Sequence, residues 1–138
     1  MVRVNLINPF KLADQHLIAE YDEILMLLGY VKKYPNQIGI PNQYSLGKGH
    51  IKFFKNKLLY LKKRHELLRK EMKKRGFIPK KTINLKLFRK SLRNDWKPAE
   101  RDFSIIKQRL IEKIRRKPLY YRYYSKQRNF KFFERLLQ

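Results

Sequence analysis

Apolar residues recur at helical spacing close to the start of the chain. Leu17, Tyr21, Ile24 and Leu28 stand at i, i+4, i+7 and i+11, which predicts an amphipathic helix from about residue 14 to about residue 31. Three polar residues fall on one face of this helix, at the edge of the apolar stripe: His16, Glu20 and Glu23. This pattern fits either the solvated acidic side of an ordinary helix or the beginning of a functional site.

A second and longer apolar stripe begins at Ile51 and continues to Met72. Its spacings alternate between three and four residues, and Gly76 is typical of the position after a helix C-terminus. One uninterrupted helix of about 26 residues, roughly 40 Å long, is therefore predicted up to Arg75. His65 lies on the stripe and is interpreted as a packed, hydrogen-bonded core histidine.

A third helix is predicted between Pro98 and Pro118. Proline is favourable in the first turn of a helix, and Glu100 and Asp102 suit its positive end. The buried stripe of this helix is predicted to contain Phe103, Ile106, Leu110 and Ile114.

The segments between these helices are predicted to be loops. Residues 34–47 are rich in turn formers, and residues 77–97 are irregular and basic, with Ile83, Leu85, Leu87 and Phe88 expected to attach them to the core. No strand pattern and no internal repeat is recognised. The predicted fold is all-α: a compact single domain over residues 1–138, with three main helices, long loops and a basic aromatic C-terminal segment.

The composition of the chain indicates which class of molecule the protein binds. The 138 residues carry a formal net charge of +24, and all of this excess lies after residue 47, because the first 47 residues are balanced. Such a surplus of cations favours nucleic acid as the partner, although charge alone suits a ribosomal or chromatin-type protein equally well. The sequence has no cysteine and no apolar run long enough for a bilayer span, so we expect a cytoplasmic protein with no membrane partner.

The C-terminal segment interleaves aromatic and cationic residues. In the run LYYRYYSKQRNFKFFERLLQ, tyrosines at 120, 121, 123 and 124 alternate with Arg122, Lys126 and Arg128. Such side chains can stack on bases while they pair with phosphates. The same tyrosines would equally well pack against the helices and complete the hydrophobic core.

Four motifs in this order resemble the phage endonuclease V family of pyrimidine-dimer DNA glycosylases. The motifs are LADQHLIAEYDEI, LGKGHIKFFKNKLLYLKKR, KKRGF and RLIEKIRRKPLYYRYYSK. The resemblance covers roughly residues 2–126 and leaves residues 127–138 as an extra C-terminal tail. It implies a fold of three helices with extensive loops, and a glycosylase with an associated abasic-site lyase activity.

The resemblance also implies a mechanism and a set of site residues. The nucleophile would be the α-amine of Val2, exposed once Met1 is removed, and Glu23 would be the essential carboxylate. The amine would form an imine with the sugar of the damaged nucleotide, in double-stranded DNA whose opposite base is flipped out, and no metal or cofactor would be needed. The residues expected to contact the substrate or the DNA are Arg3, His16, Glu20, Lys62, Arg64, Arg109, Lys113, Tyr121, Arg122 and Tyr123.

Four positions depart from the family pattern, and the mildest change is Tyr120, where the family often has tryptophan. Val2 replaces threonine, while Asp22 and Met26 stand where the phage enzymes have arginines that contact DNA around the dimer. The function expected from the resemblance is removal of cyclobutane pyrimidine dimers, and we expect the protein to act as a monomer. The alternatives are a related glycosylase or abasic lyase with a different or broader lesion range, and a non-catalytic basic nucleic-acid-binding protein.

Overall fold

The first helix of the computed structural model, which describes residues 3–138, agrees closely with the sequence pattern. Helix α1 spans Asp14–Lys33 and follows a short 3₁₀ turn, Pro9–Lys11. Leu17 and Ile24 on its apolar stripe are fully buried. The predicted helix is confirmed and continues two residues beyond the predicted end.

The second predicted helix is two helices, and the prediction of one uninterrupted element is wrong. Helix α2 spans His50–Phe54 and helix α3 spans Leu58–Lys74. In one continuous helix the carbonyl of Asn56 would accept from the amide of Tyr60. Asn94 replaces that bond: its Nδ2 donates to the Asn56 carbonyl at 2.8 Å, and its own carbonyl accepts from the Tyr60 amide at 3.4 Å. The apolar stripe therefore survives the break, with Phe54 and Leu58 both fully buried.

The third predicted helix is observed as α4, which spans Glu100–Arg116. Asp102 stabilises its first turn, because its carboxylate accepts the Ala99 amide at 2.8 Å. Ile106 and Ile114 are buried, and Phe103 is half-buried.

The C-terminal segment contains elements that the sequence pattern did not predict. Strands β1 (Arg122–Tyr123) and β2 (Lys126–Gln127) form a small antiparallel hairpin. Its turn residues Tyr124 and Ser125 have φ angles of 52° and 67°, a conformation that costs energy for residues with a side chain. The Asp14 carboxylate compensates by accepting the amides of both residues, at 3.1 and 2.8 Å.

The last helix, α5, spans Phe130–Leu137 and packs against α4. The Asn129 side chain caps it by accepting the Phe132 amide at 3.0 Å. Phe133 and Leu137 are buried in the same core cluster as α1, α3 and α4. Part of the extra C-terminal tail is thus core.

Long irregular segments connect the helices. The segment between α3 and α4 contains two 3₁₀ turns, Leu85–Leu87 and Lys90–Leu92. Ile83 attaches it to the core, but Leu87 is 62% exposed, so its predicted anchoring role is wrong. The described chain is mostly helical, which confirms the all-α class, and none of its helices is both long and apolar enough to cross a membrane.

Arg75, at the end of α3, joins four parts of the chain. Its guanidinium donates to the carboxylates of Asp14 and Glu71, both at 2.9 Å, and to the backbone carbonyls of the segment before α1. Tyr123 and Tyr124 of the hairpin lie over the same guanidinium, with ring centres 4.6 and 4.9 Å away. This buried cation connects α1, α3, the N-terminal segment and the C-terminal hairpin.

We expect Arg75→Leu to reduce the free energy of unfolding by about 3–5 kcal/mol, because it leaves Asp14 and Glu71 as buried charges without their cation. Urea denaturation followed by circular dichroism measures this. The control is Lys63→Leu, which removes the exposed 2.7 Å pair with Asp95 and should cost at most about 1 kcal/mol. Equal losses in the two variants would contradict the assignment.

Candidate functional site

Four segments meet around an open cavity of about 390 Å³. The N-terminal segment contributes Arg3, α1 contributes its polar face, α4 contributes cationic side chains, and the segment before β1 contributes tyrosines. The lining residues are Arg3, Asn5, Gln15, His16, Ala19, Glu20, Glu23, Arg109, Leu110, Lys113, Tyr120 and Tyr121. The cavity therefore brings together residues that are up to 118 positions apart in the sequence.

Glu23 lies at the edge of the cavity and is half-buried. Its Oε1 accepts the backbone amide of Arg3 at 2.8 Å. Burial raises the pKa of the Glu23 carboxyl, and the hydrogen bond from Arg3 opposes that shift. The contact ties the start of the described chain to the middle of α1.

Glu20 lies one turn away and has a different environment. It is 1% exposed, and its two carboxylate oxygens accept from the Arg64 guanidinium at 2.7 and 2.9 Å. Arg64 also donates to the Ile7 carbonyl and is itself 3% exposed. Because Glu20 and Arg64 are buried and paired with each other, we interpret this pair as structural and do not propose Arg64 as a DNA contact.

Three cations, Arg3, Arg109 and Lys113, line the cavity with Glu23. Burial lowers the pKa of the Arg3 guanidinium, and Arg109 lowers it further. The pKa of Lys113 is also lowered, chiefly by Arg109 and then by burial. Arg109 has a buried Nε with no hydrogen-bond partner within residues 3–138. Cations that repel one another in this way favour an anionic ligand.

His16 forms one wall of the cavity and is neutral near pH 7. Burial, together with the charge of Lys113, lowers the pKa of its ring to about 4. The ring packs against Tyr121, with 4.7 Å between ring centres. A neutral imidazole in this position can accept a hydrogen bond from a substrate hydroxyl or a water.

Three other predicted residues do not line the cavity. Lys62 lies on a shallow groove of α3 with Lys63 and Lys70. Arg122 is exposed in the hairpin, and its amide donates to the Gln15 side chain at 3.0 Å. The Tyr123 hydroxyl donates to the Phe10 carbonyl at 2.7 Å, so this side chain has a structural contact. Val2, the predicted nucleophile, lies outside the described residues.

The sequence pattern missed several residues of this region. Gln15 joins α1 to the C-terminal segment, since it donates to the Tyr120 carbonyl at 2.9 Å and accepts from Arg122. Tyr44 and His50 contact the backbone of Val4 at 3.0 and 2.9 Å. Gln15 could have been predicted because it is adjacent to His16. Nothing in the sequence pattern distinguished Tyr44 in its loop or His50 beside its glycines. No three His, Asp or Glu side chains in the described part of the chain are grouped to hold a metal ion.

A comparison with known families finds one match that covers most of this site. A family model described as pyrimidine dimer DNA glycosylase matches residues 1–85. The matched range contains Arg3, His16, Glu20 and Glu23, and ends before α4 and the C-terminal segment. The resemblance recognised in the sequence motifs is thereby confirmed.

We expect the His16 ring to titrate near pH 4, because its folded environment disfavours the imidazolium. Below about pH 6.5 the unfolded chain would bind this proton more readily, so the stability that His16 contributes is lost as the pH falls from about 6.5 towards 4. Ring ¹³C shifts measured by NMR, assigned with His16→Gln, give the pKa. Lys113→Met should raise it, and a transition near pH 6.5 in the unsubstituted protein would contradict the assignment.

Proposed function

The chain belongs to the pyrimidine dimer DNA glycosylase family, and from this premise we propose that it removes cyclobutane pyrimidine dimers from double-stranded DNA and then cleaves the strand at the abasic site. The observation that carries the proposal is the contact between Glu23 and the amide of Arg3 at 2.8 Å. It holds a carboxylate beside the peptide group that joins Arg3 to residue 2, at the edge of a cationic cavity.

The proposed nucleophile is the α-amine of Val2 after removal of Met1. An α-amine has a pKa of roughly 7.7–8.0, so part of the population is neutral and nucleophilic near pH 7. Its nitrogen attacks C1′ of the damaged nucleotide, the glycosidic bond breaks, and the base departs with the bonding electrons. Nitrogen then loses a proton, the C1′–O4′ bond breaks and O4′ takes up a proton, which opens the sugar and leaves an imine between nitrogen and C1′. The imine permits removal of a C2′ proton and β-elimination of the 3′ phosphate, with cleavage of the C3′–O bond.

Glu23 is the proposed partner of the amine. Its negative charge would stabilise the positive charge that develops on the sugar as the base leaves. Burial raises the pKa of the carboxyl, so that Glu23 can also take up and return a proton during the elimination. The neutral His16 ring would accept a hydrogen bond from the opened sugar.

DNA would approach through the cationic side of the cavity. Arg3, Arg109 and Lys113 are the proposed contacts to phosphates next to the lesion, since neutralised phosphates release counterions and favour binding. Tyr121 would contact the distorted duplex from the same side. Lys62, Arg122 and Tyr123 lie outside the cavity and would contribute only to the flanking backbone. Flipping of the base opposite the dimer would give access to the sugar, at a cost that is smallest where damage has weakened the stack.

Borohydride trapping on duplexes that carry one cyclobutane dimer or one abasic site tests the proposal. We expect a covalent adduct on both duplexes with the unsubstituted protein. Glu23→Gln should reduce its formation by about 100-fold or more, because charge stabilisation and proton transfer are both lost. Inserting a glycine between Met1 and Val2 should abolish it, since the amine would move by up to about 3.6 Å.

The matched control is Glu66→Gln, which makes the same change of charge in a half-buried pair with Arg69 on α3. It should trap like the unsubstituted protein. Normal trapping by the extended form would disprove the terminal nucleophile. Tight DNA binding without an adduct on either duplex would leave a non-catalytic basic binding protein.

A second candidate is a glycosylase or abasic lyase of this family with a different lesion range. Asp22 and Met26, which replace arginines of the phage enzymes, are both exposed on α1, and Met26 is 62% exposed. An acid and a thioether cannot pair with phosphates around a dimer. An adduct on the abasic duplex alone would favour this candidate.

We expect Asp22→Arg with Met26→Arg to strengthen binding to dimer-containing DNA more than binding to undamaged DNA. Each new phosphate contact should steepen the dependence of log K on log salt by about 0.9. Fluorescence anisotropy at several salt concentrations measures both effects. Glu66→Arg with Leu67→Arg changes the net charge equally at a half-buried and an exposed position of α3. An equal gain in this control would mean that total charge, and not position, determines the preference.

A further inference from the structure

Two buried side chains hold the backbone of Val4 from both sides. The Val4 amide donates to Nε2 of His50 at 2.9 Å, and the Val4 carbonyl accepts from the Tyr44 hydroxyl at 3.0 Å. His50 is 2% exposed and Tyr44 is 1% exposed. We call these two side chains the Val4 clamp.

The hydrogen bonds define the protonation state of His50. An amide can only donate, so Nε2 must be the unprotonated nitrogen that accepts from Val4. Nδ1 lies 2.8 Å from the Ser45 carbonyl, which can only accept, so Nδ1 carries the proton. The ring is therefore neutral and in one tautomer, and ring contacts with Tyr44 and Phe54 at 5.3 and 5.4 Å fix its plane.

Residues on both sides of Val4 also have fixed backbone contacts. Immediately before it, the Arg3 amide donates to Glu23 at 2.8 Å. Immediately after it, Leu6 has a φ of 59° in a γ-turn, in which the Ile7 amide donates to the Asn5 carbonyl at 2.5 Å. A buried leucine in this conformation is strained, and such strain persists only where surrounding contacts impose it. Arg64 supplies one of these contacts, at the Ile7 carbonyl.

We infer that His50 and Tyr44 are positioning residues which fix the distance between Glu23 and the amine of residue 2. This inference rests on the proposed function, since it needs that amine to be the nucleophile. Val4 is two residues from the amine, and a chain of two residues can displace its end by up to about 7 Å if it is not held. The clamp fixes Val4 and the hydrogen bond to Glu23 fixes the Arg3 amide, so that the backbone leading to the amine is set before DNA binds.

The clamp is built from parts of the chain that have no role in the proposed function. The loop between α1 and α2 supplies Tyr44 and the Ser45 carbonyl, and the first residue of α2 is His50. Tyr44 is packed against Phe53, Phe54 and Trp96, with ring centres 6.0 to 6.2 Å away. This aromatic cluster makes the clamp a rigid support.

Single-turnover trapping at saturating abasic duplex separates positioning from binding. We expect Tyr44→Phe and His50→Phe, which keep a buried ring but lose the bond to Val4, to lower the trapping rate about 10- to 100-fold. The Kd for the duplex, measured by anisotropy, should stay within about twofold, because neither side chain lines the cavity. His50→Gln, whose side-chain oxygen can accept from the Val4 amide, should recover most of the rate.

The controls are Tyr60→Phe and His65→Phe. Tyr60 is half-buried and stacks on Phe54, and His65 is buried and stacks on Tyr21, so both changes leave the two hydrogen bonds to Val4 in place and should trap normally. Clamp variants that fold and trap at the normal rate would overturn the inference. A decrease in trapping rate no larger than that of the control variants would also overturn it. Absence of trapping by the unsubstituted protein would instead refute the proposed function. In the unsubstituted protein, NMR coupling between ¹⁵N of the Val4 amide and Nε2 of His50 tests the clamp without any variant, and its absence would also overturn the inference.

Discussion

Arg64 and Glu20 form a two-point ion pair at 2.7 and 2.9 Å, and both residues are buried. A charge moved out of water costs several kcal/mol unless it is paired, so this arrangement is stable only when both partners are present and correctly placed. One partner belongs to α1 and the other to α3, and Arg64 also binds the Ile7 carbonyl. Arg64 therefore joins the two central helices to the N-terminal segment, as Arg75 does at the end of α3.

This pair also separates the roles of the two carboxylates on α1. Glu20 is neutralised by Arg64, whereas Glu23, less than one turn further along, is half-buried and bonded to a backbone amide. The charge that remains around the cavity is positive, from Arg3, Arg109 and Lys113. A single available carboxylate among cations suits a reaction in which a sugar gains positive charge while phosphates are held nearby. Identical residue types thus acquire different functions from their surroundings.

The sequence predicted the long helices because their apolar residues repeat at helical spacing, and tertiary packing requires that spacing. The prediction failed at residues 55–57, where the helix is interrupted although the spacing of the apolar residues continues unchanged. The break depends on Asn94, a residue 38 positions from Asn56, which donates to the Asn56 carbonyl and accepts from the Tyr60 amide. The hairpin after α4 was missed for a related reason. Its strained turn is compensated by Asp14, at the other end of the chain, and no local pattern reveals that partner.

The family and the main ionisable residues of the site were determined by the sequence alone: the motifs identified the family, and the helical periodicity put His16, Glu20 and Glu23 on one face of α1. The tertiary structure decided what each of these residues can do. It buried Arg64 against Glu20, placed the cations of α4 opposite Glu23, and brought His50 to the backbone of Val4. Periodicity records which side of a helix is buried, whereas hydrogen bonds between distant segments depend on where the chain crosses itself, and that information is absent from any short stretch of sequence.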